Sequence, residues 1–191
     1  MRSTATCTAC AAGYYQGTSG SDTCAACAAG YYQSKRGSTS CVPAANGTYT
    51  SATGQANAST CAAGTYSRGS ASTSCSDCLG GTWSSSGAKS CQNCVGGTYA
   101  SAGSARCYEC SAGKYSASGA STCVACGLGT FSQTGNSSCT ACPNGTYASE
   151  SQSTYCATCP SGTFSKSGAS TCATCPGGKA SVAGSDTCGD W

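Results

Sequence analysis

Whatever chemistry this chain carries rests on cysteine. It occurs 21 times in 191 residues, mostly as C-x-x-C pairs such as Cys24/Cys27 and Cys75/Cys78. That spacing serves three chemistries: zinc–thiolate sites, thiol–disulfide exchange and structural cystines. Zinc fits poorly. Grouping the cysteines by fours from Cys7 puts positions 41, 44, 58 and 61 in one site, yet 44 and 58 are Ala44 and Ala58. That site would keep two useless thiols, and the row ends one ligand short at Cys172, Cys175 and Cys188. Histidine is absent, and few cations offset a row of doubly negative tetrathiolate sites. No single pair is set apart for redox exchange. Structural cystines are the expectation, with no metal and no cofactor beyond covalent glycans.

Acid–base catalysis has no support either. The commonest general base is missing, and the acids Asp22, Asp77, Glu109, Glu150, Asp186 and Asp190 are separated in sequence apart from the last two. The expectation is that the chain is not an enzyme. Nine basic residues are scattered from Arg2 to Lys179 with a net charge of +3. No basic stripe results, so nucleic acid is not an expected partner.

Something other than an aliphatic core must hold these cysteines. The chain has two leucines, two phenylalanines and no isoleucine, against 35 serines, 25 threonines and 27 glycines. Cysteine at this density marks a cross-linked scaffold in an oxidising, extracellular or cell-surface setting. No apolar run is long enough for a transmembrane segment or a secretory leader.

A repeat organises the cysteines. Units start at 10, 27, 44, 61, 78, 94, 110, 126, 142, 159 and 175, at intervals of 16 or 17 residues. "CSAGKYSASGASTCVA", from Cys110, is a clean example. Three residues after each start stands a glycine, from Gly13 to Gly178, and two residues later an aromatic, from Tyr15 to Phe164. Only the last unit departs, with Ala180. Most units carry a second glycine mid-loop, such as Gly119. The pattern reads as strand, glycine turn and short return strand, one small hairpin per unit. Nothing repeats every 3.6 residues, so no helix is expected. The fold class is thus small, disulfide-rich and β, an elongated tandem array with aromatics stacked from unit to unit and contacts confined to nearest neighbours. Residues 1–9 read as the end of a preceding repeat and 10–191 as eleven repeats.

The paired alanines fix the connectivity. If each unit's first cysteine bonds the cysteine 13 or 14 residues later, positions 44 and 58 are partners and their loss removes one bridge cleanly. Bonds within each C-x-x-C would strand Cys41 and Cys61, and bonds reaching one unit further would strand Cys27 and Cys75. The surviving scheme is Cys10–Cys24, Cys27–Cys41, Cys61–Cys75, Cys78–Cys91, Cys94–Cys107, Cys110–Cys123, Cys126–Cys139, Cys142–Cys156, Cys159–Cys172 and Cys175–Cys188. The 44–60 repeat lacks its disulfide. Cys7 is left over as the closing cysteine of an earlier unit, so the array is expected to continue upstream of residue 1. Each closed loop of about 15 residues contributes roughly 3 kcal/mol in the chain-entropy account.

Two polar patterns complete the reading. N-x-S/T sequons stand at Asn46, Asn57, Asn136 and Asn144, candidate N-glycosylation sites, and two of them fall in the unbridged unit. Rows such as Thr48/Thr50 and Thr65/Ser67 place hydroxyls on one side of a strand, which suggests a water-facing or glycan-bearing ladder.

The pattern C-x-x-G-T-Y-S-x-S-G-A-S-x-C-x-x-C, fullest in Cys110–Cys126, Cys126–Cys142 and Cys159–Cys175, resembles the ephrin-receptor-like (GCC2/GCC3-type) cysteine-rich repeat. That repeat is a relative of tumour-necrosis-factor-receptor-like modules. The resemblance covers nearly the whole chain and departs from it at Ala44, Ala58 and the last unit. It implies an extracellular disulfide rod without catalytic residues. Two functions follow from these readings. One is a structural rod or shaft segment of a cell-surface filament, coat or appendage, glycosylated and able to self-associate laterally or end to end. The other is a receptor or adhesion ectodomain stalk contacting a protein or glycan ligand. Peptide mapping of the oxidised protein should recover Cys110 joined to Cys123; a bond between Cys107 and Cys110 would overturn the scheme.

Overall fold

The computed structural model describes residues 8–18, 21 and 23–190; Cys7, and with it most of the 1–9 segment, lies outside them. Eleven two-stranded sheets follow one another along the chain, each a single antiparallel hairpin, and no helix occurs among the described residues. Each strand is two residues long. In the repeat from Cys110, Lys114–Tyr115 pairs with Val124–Ala125 in the register Lys114↔Ala125 and Tyr115↔Val124.

The hairpin starts from a turn that the sequence dictates. Lys114 N–H donates to Ser111 C=O at 3.1 Å, and Gly113, third in that turn, has φ +83°. Positive φ at the third position is the type II turn, which glycine adopts without steric cost. The mid-loop glycine is a second left-handed position. It always lies four residues before the closing cysteine, as Gly119 does before Cys123, so 17-residue units insert their extra residue ahead of it. Two units have no glycine there, and Ala71 and Gln152 take up φ 61° instead.

The chain divides into two compact units. One comprises the residues up to Leu79 with Trp83–Gln92 and Ala102–Arg106; the other comprises Gly80–Thr82, Asn93–Ser101 and the residues from Cys107. The same bonding rule runs within each. In the first, Gly47 N–H donates to Ser67 C=O (3.0 Å), Ser67 Oγ donates back to Thr48 C=O (3.0 Å), and Gly54 N–H donates to Cys27 C=O (2.8 Å). In the second, the equivalents are Gly97 to Ser116 (2.8 Å), Ser116 Oγ to Thr98 (2.9 Å) and Gly119 to Cys94 (2.8 Å). Within each compact unit the backbone therefore sews repeat to repeat, and a hydroxyl adds a second bond where Thr or Ser stands six past the start.

Contacts also reach the next repeat but one, beyond the nearest neighbours expected from the sequence. A Cβ added to Gly47 would lie well inside the van der Waals radius of Gly87 C=O, and one on Gly97 would meet Gly135 C=O in the same way. Glycine at this register thus meets two demands at once, left-handed backbone and absence of a side chain.

The buried residues are few and small. The starting cysteines Cys27, Cys61, Cys78, Cys110, Cys126, Cys142 and Cys159 are wholly buried, and Ala44 sits among them at 0% exposure. Beside them lies the residue six past each start: Gln33, Thr50, Ser67, Ser84, Ala100, Ser116, Ser132, Ala148 and Ser165. This corrects the expected hydroxyl face. Thr48 bonds its own turn at Ala45 C=O (2.7 Å), while Thr50 and its counterparts point inward, because a buried hydroxyl needs a partner and the preceding strand supplies a carbonyl. Nor does a stacked aromatic seam occur among the described residues. The one ring pair among the described residues, Tyr99 and Tyr108 with centroids 6.1 Å apart, lies across a single hairpin.

The two demands on glycine are separable. Gly97→Ala and Gly162→Ala both force alanine into left-handed backbone, costing about 1–2 kcal/mol. A Cβ at 162 has nothing within 4 Å, whereas at 97 it strikes backbone. Equilibrium denaturation should show Gly97→Ala weaker by a further ~1–3 kcal/mol, the usual range for overpacking. Equal losses would mean that repeat-to-repeat closeness is unimportant.

Candidate functional site

The cystine column is the feature on which sequence chemistry converges. Ten disulfides join Cys10–Cys24, Cys27–Cys41, Cys61–Cys75, Cys78–Cys91, Cys94–Cys107, Cys110–Cys123, Cys126–Cys139, Cys142–Cys156, Cys159–Cys172 and Cys175–Cys188. Nine have a Cα–Cα separation of 5.7 Å and Cys159–Cys172 has 5.8 Å, in the middle of the range for unstrained bridges. The two cysteines of each C-x-x-C belong to different bridges: Cys24 closes one loop and Cys27 opens the next. All twenty described cysteines are thus committed, so none is left as a thiolate for metal or exchange chemistry. Among the described residues no cluster of three or more His, Cys, Asp or Glu could hold a metal ion.

Burial divides each bridge. Opening cysteines from Cys27 to Cys159 are buried, and their partners, such as Cys41, Cys75 and Cys123, are half-buried. A reductant would meet the outer sulfur first.

At the missing rung the backbone is unchanged. Ala44 N–H donates to Gly30 C=O at 2.8 Å, and Ala44 C=O accepts from Ala71 N–H at 2.8 Å. Cys61 makes the equivalent bonds to Gly47 and from Gly87, each at 2.9 Å. Thr48–Tyr49 pairs with Ser59–Thr60 as in the bridged repeats. The methyl of Ala44 occupies the cysteine's place in the column, and Ala58, its counterpart, is half-buried. The neighbouring repeats, not a covalent bond, hold this hairpin.

The sequons fall in different settings. Asn46 and Asn57 are exposed, and their side chains make no hydrogen bond among the described residues; Asn136 is half-buried. Asn144 is committed: its Oδ1 accepts from Ser167 N–H (2.8 Å) and its Nδ2 donates to Asp186 Oδ2 (3.1 Å). Lys166 Nζ lies 3.5 Å from the same oxygen in a solvent-accessible pair of little energetic weight. Asn144 and Asp186 lie in the repeats starting at 142 and 175, two steps apart.

With this geometry in place, comparison with known proteins is decisive. The family model for tyrosine-protein kinase ephrin type A/B receptor-like repeats matches residues 2–41, 17–61 and 129–171, together more than half of the chain. The chain belongs to this family. No curated protein matches it. Disulfides in such number persist in oxidising compartments, and with a receptor-type family they point to an extracellular location. No helix among the described residues is long and apolar enough to cross a membrane.

Two features of this ephrin-receptor-like array escaped the sequence reading. The residue six past each start is Ser or Thr in most units, but its hydroxyl reads as solvent-facing until the strand's neighbours are known. The loop of repeat 142–158 also departs from the pattern at Glu150, Gln152 and Tyr155, which one periodic template conceals.

The double variant Ala44→Cys/Ala58→Cys should close an eleventh bridge without disturbing its neighbours and stabilise that repeat by about 3 kcal/mol. Limited proteolysis of the parent should cut first between Ala44 and Ala58, and the variant should lose that preference. Two free thiols in the oxidised variant would contradict the register.

Proposed function

We propose that the chain is a non-catalytic shaft segment of an extracellular, receptor-type protein, a spacer whose stiffness comes from covalent loops sewn in series. The observation that carries this reading is the recurrence of one bond set. The glycine amide, the mid-loop amide and the buried hydroxyl engage the adjacent repeat in the same register along each compact unit. Such a chain needs no ligand to be ordered, and its hydroxyl-rich, weakly charged exterior suits a surface-exposed filament, coat or stalk.

Glycans belong to the same reading. Asn46 and Asn57 flank the unbridged hairpin, Asn46 two residues after Ala44 and Asn57 one before Ala58. Sugar at these exposed amides would shield the least cross-linked backbone from proteases. Asn144, held at both amide atoms, is the poorer acceptor. The array is proposed to continue upstream of residue 1, with Cys7 closing an earlier loop, and to allow lateral or end-to-end self-association.

A second reading, a stalk that also contacts a protein or glycan ligand, is favoured by the departures in the loop of repeat 142–158. The shaft reading is tested by small-angle scattering of the oxidised protein. A radius of gyration well above the roughly 16 Å of a compact chain of this length is expected. A value near that figure would refute the shaft.

A further inference from the structure

We propose that the loop of repeat 142–158 is a binding site for a neutral oligosaccharide, independent of whether the chain serves as a shaft. This loop encloses an open bowl of about 420 Å³, large enough for a hexose, lined among others by Tyr147, Glu150, Gln152, Thr154, Tyr155 and Ala157.

Three of those residues replace what the repeat otherwise uses. Tyr155 stands before the closing cysteine, where Ser40, Ser74 and Ser138 stand in other units, and it is 71% exposed. An aromatic side chain left in water, at a position where the other units carry only serine, threonine, asparagine or arginine, has no part in holding the hairpin. Gln152 occupies the left-handed mid-loop position at φ 61°, a conformation glycine would adopt without strain. Backbone strain of this kind persists where the surroundings enforce it. Glu150 places the one acid of the bowl at the loop tip.

The loop is also held in advance of any ligand. Gln152 N–H donates to Cys126 C=O (2.8 Å), and Gln133 Nε2 reaches from the preceding repeat to Thr154 C=O (2.8 Å). Ser153 Oγ caps Glu150 C=O (2.8 Å), and Ser153 C=O accepts from Ser132 N–H (3.3 Å). Fixing both flanks of the tip removes ordering cost from binding.

The lining selects the ligand class. A tyrosine face takes the C–H side of a pyranose and its hydroxyl remains free to bond. Carboxylate and amide groups serve ring hydroxyls as acceptors and donors, and Glu150 disfavours sulfated or carboxylated sugars.

Saturation-transfer NMR on the oxidised protein with cellotriose, maltotriose, mannotriose and chitotriose, and with a sulfated trisaccharide as control, tests this. At least one neutral sugar should show transfer at millimolar concentration, and the sulfated one should show none. Tyr155→Ser installs a residue that Ser40, Ser74, Ser90 and Ser138 supply in other repeats and so preserves the fold; it should weaken binding roughly tenfold or more, equivalent to about 1.4 kcal/mol. Glu150→Ser should weaken it and admit the sulfated sugar. Silence from every neutral sugar, preference for the sulfated one, or undiminished binding by Tyr155→Ser would each overturn the proposal.

Discussion

The cystine that closes each loop is the constraint on which the rest of this protein depends. With two leucines, two phenylalanines and no isoleucine in 191 residues, apolar burial cannot offset backbone ordering of about 1–2 kcal/mol per residue. Each bridge limits the unfolded chain instead, and its inner sulfur fills the space that an aliphatic side chain would fill elsewhere. The two-residue strands are a consequence. A hairpin that short is not stable by itself, but tied at its base and bonded to the next it need not be.

Tying the loops does not yet order them against one another. That task falls to small residues. A left-handed glycine after each opening cysteine brings backbone from the second repeat onward into contact, and a buried hydroxyl donates to the preceding strand. No side chain fits at a glycine so placed, and the buried inward place is mostly serine, threonine or alanine, with Gln33 the larger exception. The abundance of Gly and Ser, which composition alone would associate with disorder, here reflects a structure in which backbone packs on backbone. Ala44 shows the margin available: neighbours on both sides suffice to hold one hairpin without its bridge.

Much of this was legible in advance because the repeat is strict. Interval, glycine register and the paired absence at Ala44 and Ala58 required only counting, and they pointed to hairpins without helix. What a single strand's alternation could not reveal was which face meets another repeat. Thr50 and Ser67 therefore read as solvent-facing although they are buried, and the aromatics read as a stacked seam although each lies at its own hairpin. The glycine register marks the close approach two repeats apart without saying which repeats meet, and a side-chain contact such as Asn144 with Asp186 leaves no mark in a pattern. The loop of repeat 142–158 was hidden for the opposite reason, since its meaning lies in departing from the period.

A chain built this way separates two tasks. The bridges and sewing bonds at the base of each repeat carry the fold, and the loops above them are free to vary. The central claim is that covalent loops, rather than burial, order the array. Native-state hydrogen exchange at Gly64, Gly97 and Gly113, whose amides donate to Ser84, Ser116 and Ser132, tests it most directly when measured before and after full reduction. All three amides should be protected in the oxidised protein and exchange at unfolded-chain rates once the ten bridges are opened. Protection that survives complete reduction would contradict the account.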